Sequence, residues 1–190
     1  MYRALAHVAL QTQTDLDNEP ALLRLFVQNP IDVQLDRAGP LGFRIFTGTS
    51  ELAAEQLESS QVTAVVSTIA AHACIREAMV AQQRAIARQG SVVMAGRDIG
   101  SIVLPHASVK VFLTASVEAR VGRRRAQLAA AGVDVNAHEL AREIEERDRL
   151  DETRSSSPLK KAPDAHAIDS SRLTADEVVD RICALVRASS

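Results

Sequence analysis

Ser91-Val92-Val93-Met94-Ala95 runs directly into Gly96-Arg97-Asp98-Ile99-Gly100, and the fold class turns on how that junction is read. A short run of small and β-branched apolar residues stopped by glycine predicts a strand covered on both faces. In open α/β sheets, ligands sit beyond the carboxyl ends of such strands. Glycines on either side of Arg97 and Asp98 allow a sharp turn that presents a cation beside a carboxylate. A guanidinium fork suits a phosphate, and a carboxylate suits a sugar hydroxyl or a base amino group. An Arg-Asp ion pair that merely stiffens a loop is the plainer alternative.

Working outward, residues 108–113 (SVKVFL) predict a second buried strand and 165–169 (AHAID) a short third one. Ser116 is placed to cap an arginine-laden helix over 117–131 that stops at Gly132, and Asn136 to cap another over 137–149. The segment 151–163 reads as a polar, Pro-punctuated loop. Thr174-Ala175-Asp176-Glu177 is a capping box opening a final amphipathic helix to about residue 186. Strands alternating with helices imply right-handed crossovers and a parallel sheet. Toward the start, residues 1–10 are helical in pattern, 15–29 predict a short helix with Pro20 near its beginning, and 63–87 predict one long helix. Residues 31–35 and 42–46 alternate in hydropathy and read as a β-hairpin joined through 37–40, followed by a helical turn or two over 50–57. The hairpin departs from the parallel pattern and is expected to be an inserted substrate subdomain.

Composition narrows the class. The 190 residues suit one domain; 46% are hydrophobic and 24% charged, with net charge −2. That balance speaks against a general nucleic-acid binder, and 3% aromatic residues leave little for base-stacking platforms. All of the 22 basic residues are arginine except Lys110, Lys160 and Lys161, a bias that favours bidentate phosphate binding. Cys74 and Cys183 lie far apart with no metal-ligand spacing, and no segment has the apolar length of a membrane span or the pattern of a signal peptide. A cytoplasmic protein with reduced thiols, no metal site of its own and no membrane partner is expected.

Arg120, Arg123 and Arg124 share one helical face, while Arg147, Arg149 and Arg154 crowd a segment that also carries Asp148 and Asp151. Solvated ion pairs would account for part of this. An arginine-bearing lid over 117–157, closing on nucleotide phosphates, would account for more, because phosphoryl transfer depends mainly on positioning and cationic neutralisation.

Together MYRAL at 1–5, VVMAGRDIGSIVLPHASVKVFLTAS at 92–116 and EIEERDRLDETRSSSPLKKAPDAHAID at 143–169 resemble the bacterial cytidylate kinases, and the resemblance runs along nearly the whole chain. It implies a P-loop nucleoside monophosphate kinase-like α/β fold, a parallel sheet flanked by helices, with a monophosphate-binding insertion at about 30–62. It implies ATP-dependent phosphorylation of CMP or dCMP, with Mg²⁺ carried by the nucleotide, by a monomer acting on small molecules. Arg3, Arg97 and Arg154 match the residues that grip the acceptor phosphate. Ser67, Arg76 and Asp98 match those that read cytosine, and Asp151 the one that holds the sugar hydroxyl. Arg123 and Arg147 match lid residues facing the ATP phosphates, and Asp169-Ser170-Ser171 falls on the adenine side. Arg97, Arg154, Arg147 and Arg123 are accordingly the expected catalytic arginines.

One departure stands out. The family's pattern opens with a strand, a GxxxxGK[ST] loop and a helix ahead of the position matching Met1, and no GxxxxGK[ST] occurs in these 190 residues. That loop supplies the backbone cradle and the lysine for the donor phosphates. The expectation is therefore an N-terminally truncated chain, with Met1 an internal methionine, lacking the central first strand and poorly active. A non-catalytic CMP-binding remnant, or another P-loop small-molecule kinase, are the alternative readings.

Overall fold

The computed structural model describes residues 1–36, 42–130, 132–153 and 158–189. The chain divides into two compact units, Met1–Ser91 and Val92–Ser190, each taken in turn.

The first unit is a helical cluster with a small antiparallel sheet. Helix α1 (Tyr2–Gln11) buries Ala4, Leu5, Ala6 and Ala9, small or branched residues that let neighbouring helices approach closely. Helix α2 (Glu19–Gln28) begins where Asn18 accepts a hydrogen bond from the Ala21 amide at 3.0 Å, with Pro20 in the first turn where it lacks no needed donor. Strands β1 (Ile31–Leu35), β2 (Phe43–Thr47) and β3 (Ser50–Leu52) form an antiparallel sheet in that order. Ile45 lies opposite both Val33 and Leu52, so one sheet face joins the core while the other carries an exposed Arg44–Glu51 ion pair. The hairpin is as expected, although its connection at 37–40 lies outside the described residues. The helical turns expected over 50–57 are instead β3 followed by helix α3 (Ala54–Glu58).

The single helix expected over 63–87 is two, α4 (Ser60–Ala71) and α5 (Ala73–Ala87), bent by 98° at His72. The cause is tertiary. His72 takes an extended conformation, and its Nε2 donates to the Leu16 carbonyl at 2.7 Å. The Glu19 carboxylate accepts from the Cys74 amide at 2.8 Å, satisfying one of the donors that a helix start leaves unpaired. Arg76, 3% exposed, closes the break from within, its Nη1 donating to Ala70 O at 3.1 Å. Leu5, Leu22, Ile31, Val62, Ile69, Ile75 and Met79 fill the core between these elements. No single helix among the described residues is long and apolar enough to cross a membrane, and only the bent α4–α5 pair reaches that composition jointly.

The second unit corrects the reading of the opening stretch. Residues 91–95 pair with no strand among the described residues. Val92 and Met94 are half-buried while Ser91, Val93 and Ala95 are exposed, Val93 to 94%. Cover is thus one-sided, not two-sided, because apolar composition specifies what a segment tolerates and not whether a neighbour's backbone lies alongside it. Past Gly96 the chain makes a single π-helical turn, Ile99–Val103. Strand β4 (Val111–Thr114) follows, later than the predicted 108–113, and its Leu113 is 52% exposed. It pairs in parallel with β5 (His166–Asp169), so the parallel sheet of this α/β chain has two strands among the described residues.

Helix α6 (Val117–Ala130) starts with Ser116 Oγ accepting from the Ala119 amide at 3.2 Å, and Gly132 beyond its end has φ +76°, the left-handed conformation that suits glycine after a helix. Helix α7 (Ala137–Thr153) runs past the predicted end at 149, so the segment read as a loop from 151 is helical at its start. Helix α8 (Ala175–Ala188) opens with the reciprocal Thr174–Glu177 capping box.

A pH effect follows from the α2–α5 contact. The Cys74 amide, and after it the Cys74 thiol, hold the Glu19 carboxyl below its ordinary range. A depressed folded-state value gives stability present above the unfolded carboxylate range and lost as pH falls through the folded value. Glu19→Gln keeps an acceptor for Cys74, so urea midpoints are expected to change little at neutral pH and to fall less steeply than wild type on acidification.

Candidate active site

Each unit gathers its own share of the predicted residues. In the first, the opening turn of α1 is the meeting point. Arg3 Nη1 donates to Leu57 O at 2.8 Å and to Thr63 Oγ1 at 3.0 Å. Ser67 lies one turn beyond Thr63 on the same face of α4 and is half-buried. The Arg76 guanidinium carbon stands 5.6 Å from the Tyr2 ring centroid, a cation–π distance. Arg3, Ser67 and Arg76 therefore approach one corner where α1, α4 and α5 converge, and the aromatic ring orders the arginine that also caps α4.

In the second unit the turn after residue 95 meets the end of α7. Arg97 Nε lies 3.0 Å from Asp151 Oδ2. The two partners differ in environment, the Arg97 side chain being 41% exposed and that of Asp151 5%. A buried carboxylate requires such a counter-charge, and the contact uses the Nε edge of a planar group with five N–H donors. Asp98, the adjacent residue, is buried, and its carbonyl accepts the Ile102 and Val103 amides at 2.9 and 3.2 Å. A half-exposed cation and two buried carboxylates thus sit on one rigid turn.

The predicted lid arginines are held differently. Arg123 donates to Ser170 Oγ at 3.1 Å and to the carbonyls of Ser170 and Leu173, so it binds the loop following β5. Buried Ser170 is fixed in turn, its hydroxyl donating to Thr114 O at 2.9 Å. Asp169 accepts from the Ser171 hydroxyl and amide at 2.6 and 2.9 Å, bonds that hold its carboxyl below the ordinary range. Arg123 and Asp169-Ser170-Ser171 are therefore neighbours. Arg147 is half-buried on α7, next to Asp148, whose carboxylate pairs with Arg120 of α6 at 2.6 Å. Arg154 lies outside the described residues. The roles of Tyr2, Thr63 and Asp148 were not part of the sequence reading; only the helical spacing of Asp148 to Asp151 hinted at a shared face.

No group of three or more His, Cys, Asp or Glu side chains among the described residues is disposed to hold a metal. Mg²⁺ is accordingly given no protein ligands here.

Comparison with known proteins agrees with this inventory. A family model described as Cytidylate kinase matches residues 1–188. Proteins named cytidylate kinase from Geobacillus sp. (strain WCH70) and Pelotomaculum thermopropionicum are 47% and 44% identical over 186 and 188 residues. Those matches cover 98% and 99% of this chain and 81% and 82% of the relatives. A cytidylate kinase from Enterococcus faecalis is 45% identical over 182 residues, 96% of this chain and 79% of the relative.

The asymmetry of the Arg97–Asp151 pair makes a stability prediction. Arg97→Ala leaves a buried carboxylate without this counter-charge, whereas Asp151→Asn removes the buried charge and leaves a guanidinium that water can solvate. Chemical denaturation is expected to find Arg97→Ala the more destabilising, by about 1 kcal/mol.

Proposed function

The chain belongs to the cytidylate kinase family, and from that premise we propose that its two residue groups bind CMP or dCMP as the acceptor in ATP-dependent phosphoryl transfer. The supporting observation is the turn at Arg97-Asp98 with Asp151 against it. Arg97, Arg3 and Arg154 would neutralise the acceptor phosphate. Asp98, with Ser67 and Arg76, would meet the cytosine edge, where the amino group donates and the ring nitrogen and carbonyl accept. Asp151 would accept a sugar hydroxyl while keeping the Arg97 fork in orientation.

In the reaction so assigned, an oxygen of the CMP phosphate attacks the γ-phosphorus of ATP in line. The new P–O bond forms as the β–γ bridge bond breaks, and ADP carries away the electron pair. No covalent enzyme intermediate is involved, and catalysis lies in alignment and in neutralising charge on the transferring group. Arg123 and Arg147 are assigned to the donor phosphates, a role that requires Arg123 to exchange carbonyl acceptors for phosphate oxygens. Mg²⁺ would enter with the nucleotide, neutralising phosphate charge. The GxxxxGK[ST] cradle is absent from these 190 residues, so the donor side is assigned to the arginines alone, and slow transfer by these residues by themselves is part of the proposal.

Titration calorimetry with CMP and ATP separately tests this reading. The chain is expected to bind CMP, and Arg97→Ala to weaken it at least tenfold, the scale of a lost charge-assisted hydrogen bond to phosphate. Equal CMP affinity in Arg97→Ala and wild type would remove Arg97 from the site.

A further inference from the structure

Lys110 is a buried lysine that no step above uses. Its side chain is 7% exposed, and its ammonium donates to Asp164 Oδ2 at 2.5 Å and to the Pro105 carbonyl. Asp164 itself is 64% exposed, so the chain brings a surface carboxylate to an interior cation. This contact is also what holds the Asp164 carboxyl below its ordinary range, with His106 a further, smaller positive influence.

The lysine stem runs past the turn that carries Asp98. A methyl group placed on Gly100 would lie 3.5 Å from Cβ, Cγ and Cδ of Lys110, which is ordinary packing contact. Gly100 belongs to the π-helical turn whose Ile102 and Val103 amides bind the Asp98 carbonyl, while the Leu104 amide binds Ile99 O at 2.7 Å. Pro105, which the ammonium grips, follows directly. The Lys110 carbonyl accepts the His166 amide at 2.9 Å at the start of the β4–β5 ladder. Stem, head and backbone of one residue therefore connect three things: the Asp98 turn, the exit of that turn, and the parallel sheet.

We propose that Lys110 is a positioning residue for the Asp98 turn. Its methylenes support Gly100, its ammonium clamps Pro105 to Asp164, and releasing the clamp loosens the turn and with it the discrimination between cytosine and uracil. The selectivity half rests on the reading of Asp98 as a base contact; the mechanical half does not.

Lys110→Met keeps the stem and removes the ammonium. Amide hydrogen exchange followed residue by residue is expected to quicken about tenfold at Ile102, Val103 and Leu104, with Leu140 and Ser170 unchanged. Unaltered exchange at the three turn amides, or equal acceleration at all five, overturns the mechanical half. Asp164→Asn, at an exposed position, serves if Lys110→Met does not fold, with a smaller acceleration at the same amides. Calorimetry with CMP and UMP reads the other half, where Lys110→Met is expected to lower the CMP preference about tenfold through weaker CMP binding. A loosened turn with an unchanged preference overturns the selectivity half. Wild-type protein that binds both nucleotides equally shows instead that the base-contact reading of Asp98 fails, and the exchange data then decide the mechanical half alone.

Discussion

The ion pair between Arg97 and Asp151 is the constraint around which the second unit is organised. It joins a turn near the start of that unit to the end of α7, 54 residues later in the chain, and it does so across a gradient of burial. Asp151 supplies a fixed, desolvated negative charge; Arg97 answers it with one edge of a group that has donors to spare. Such a pair is weak evidence for stability, since desolvation offsets much of the attraction. It is a good device for orientation, because the guanidinium plane is set by a partner that cannot move. An arginine oriented in this way meets an incoming phosphate without first losing its rotamer freedom.

The first unit reaches a similar end by other means. Arg3 and Arg76 are ordered by backbone carbonyls, a threonine hydroxyl and the Tyr2 ring. The sharp break at His72 turns α5 away from α4, and Arg76 fills the corner so formed. A cation used as a helix cap serves structure and remains able to offer donors to a ligand edge, a double use consistent with an arginine-rich chain of few aromatics. The Arg123 contacts with Ser170 and Leu173 extend the same logic to the donor side.

What the sequence disclosed, and what it hid, follows the range of the interactions concerned. The starts of α2 and α8 were readable because Asn18, Pro20 and the Thr174–Glu177 box act within one helical turn. The hairpin was readable from its alternation, with Ile45 inward and Arg44 outward. The break at His72 was not, since it is imposed by Leu16 and Glu19, 56 and 55 residues away. Residues 91–95 have strand composition, yet a ladder needs a neighbour in register, which composition does not specify. The candidate site came partly from chemistry, as for Arg97 and Asp98 beside two glycines, and partly from family resemblance, as for Arg3 and Asp151. The direct Arg97–Asp151 contact and the Lys110–Asp164 clamp were outside both, because no local pattern announces a pairing over 54 residues.

The central claim is that oriented guanidinium groups receive a pyrimidine nucleoside monophosphate. A crystal structure of the chain with CMP tests it most directly. The account predicts phosphate oxygens at hydrogen-bond distance, about 3 Å, from the Arg97 fork, with the Arg97–Asp151 contact retained and the cytosine edge toward Asp98. CMP bound away from that turn, with Arg97 making no phosphate contact, contradicts it.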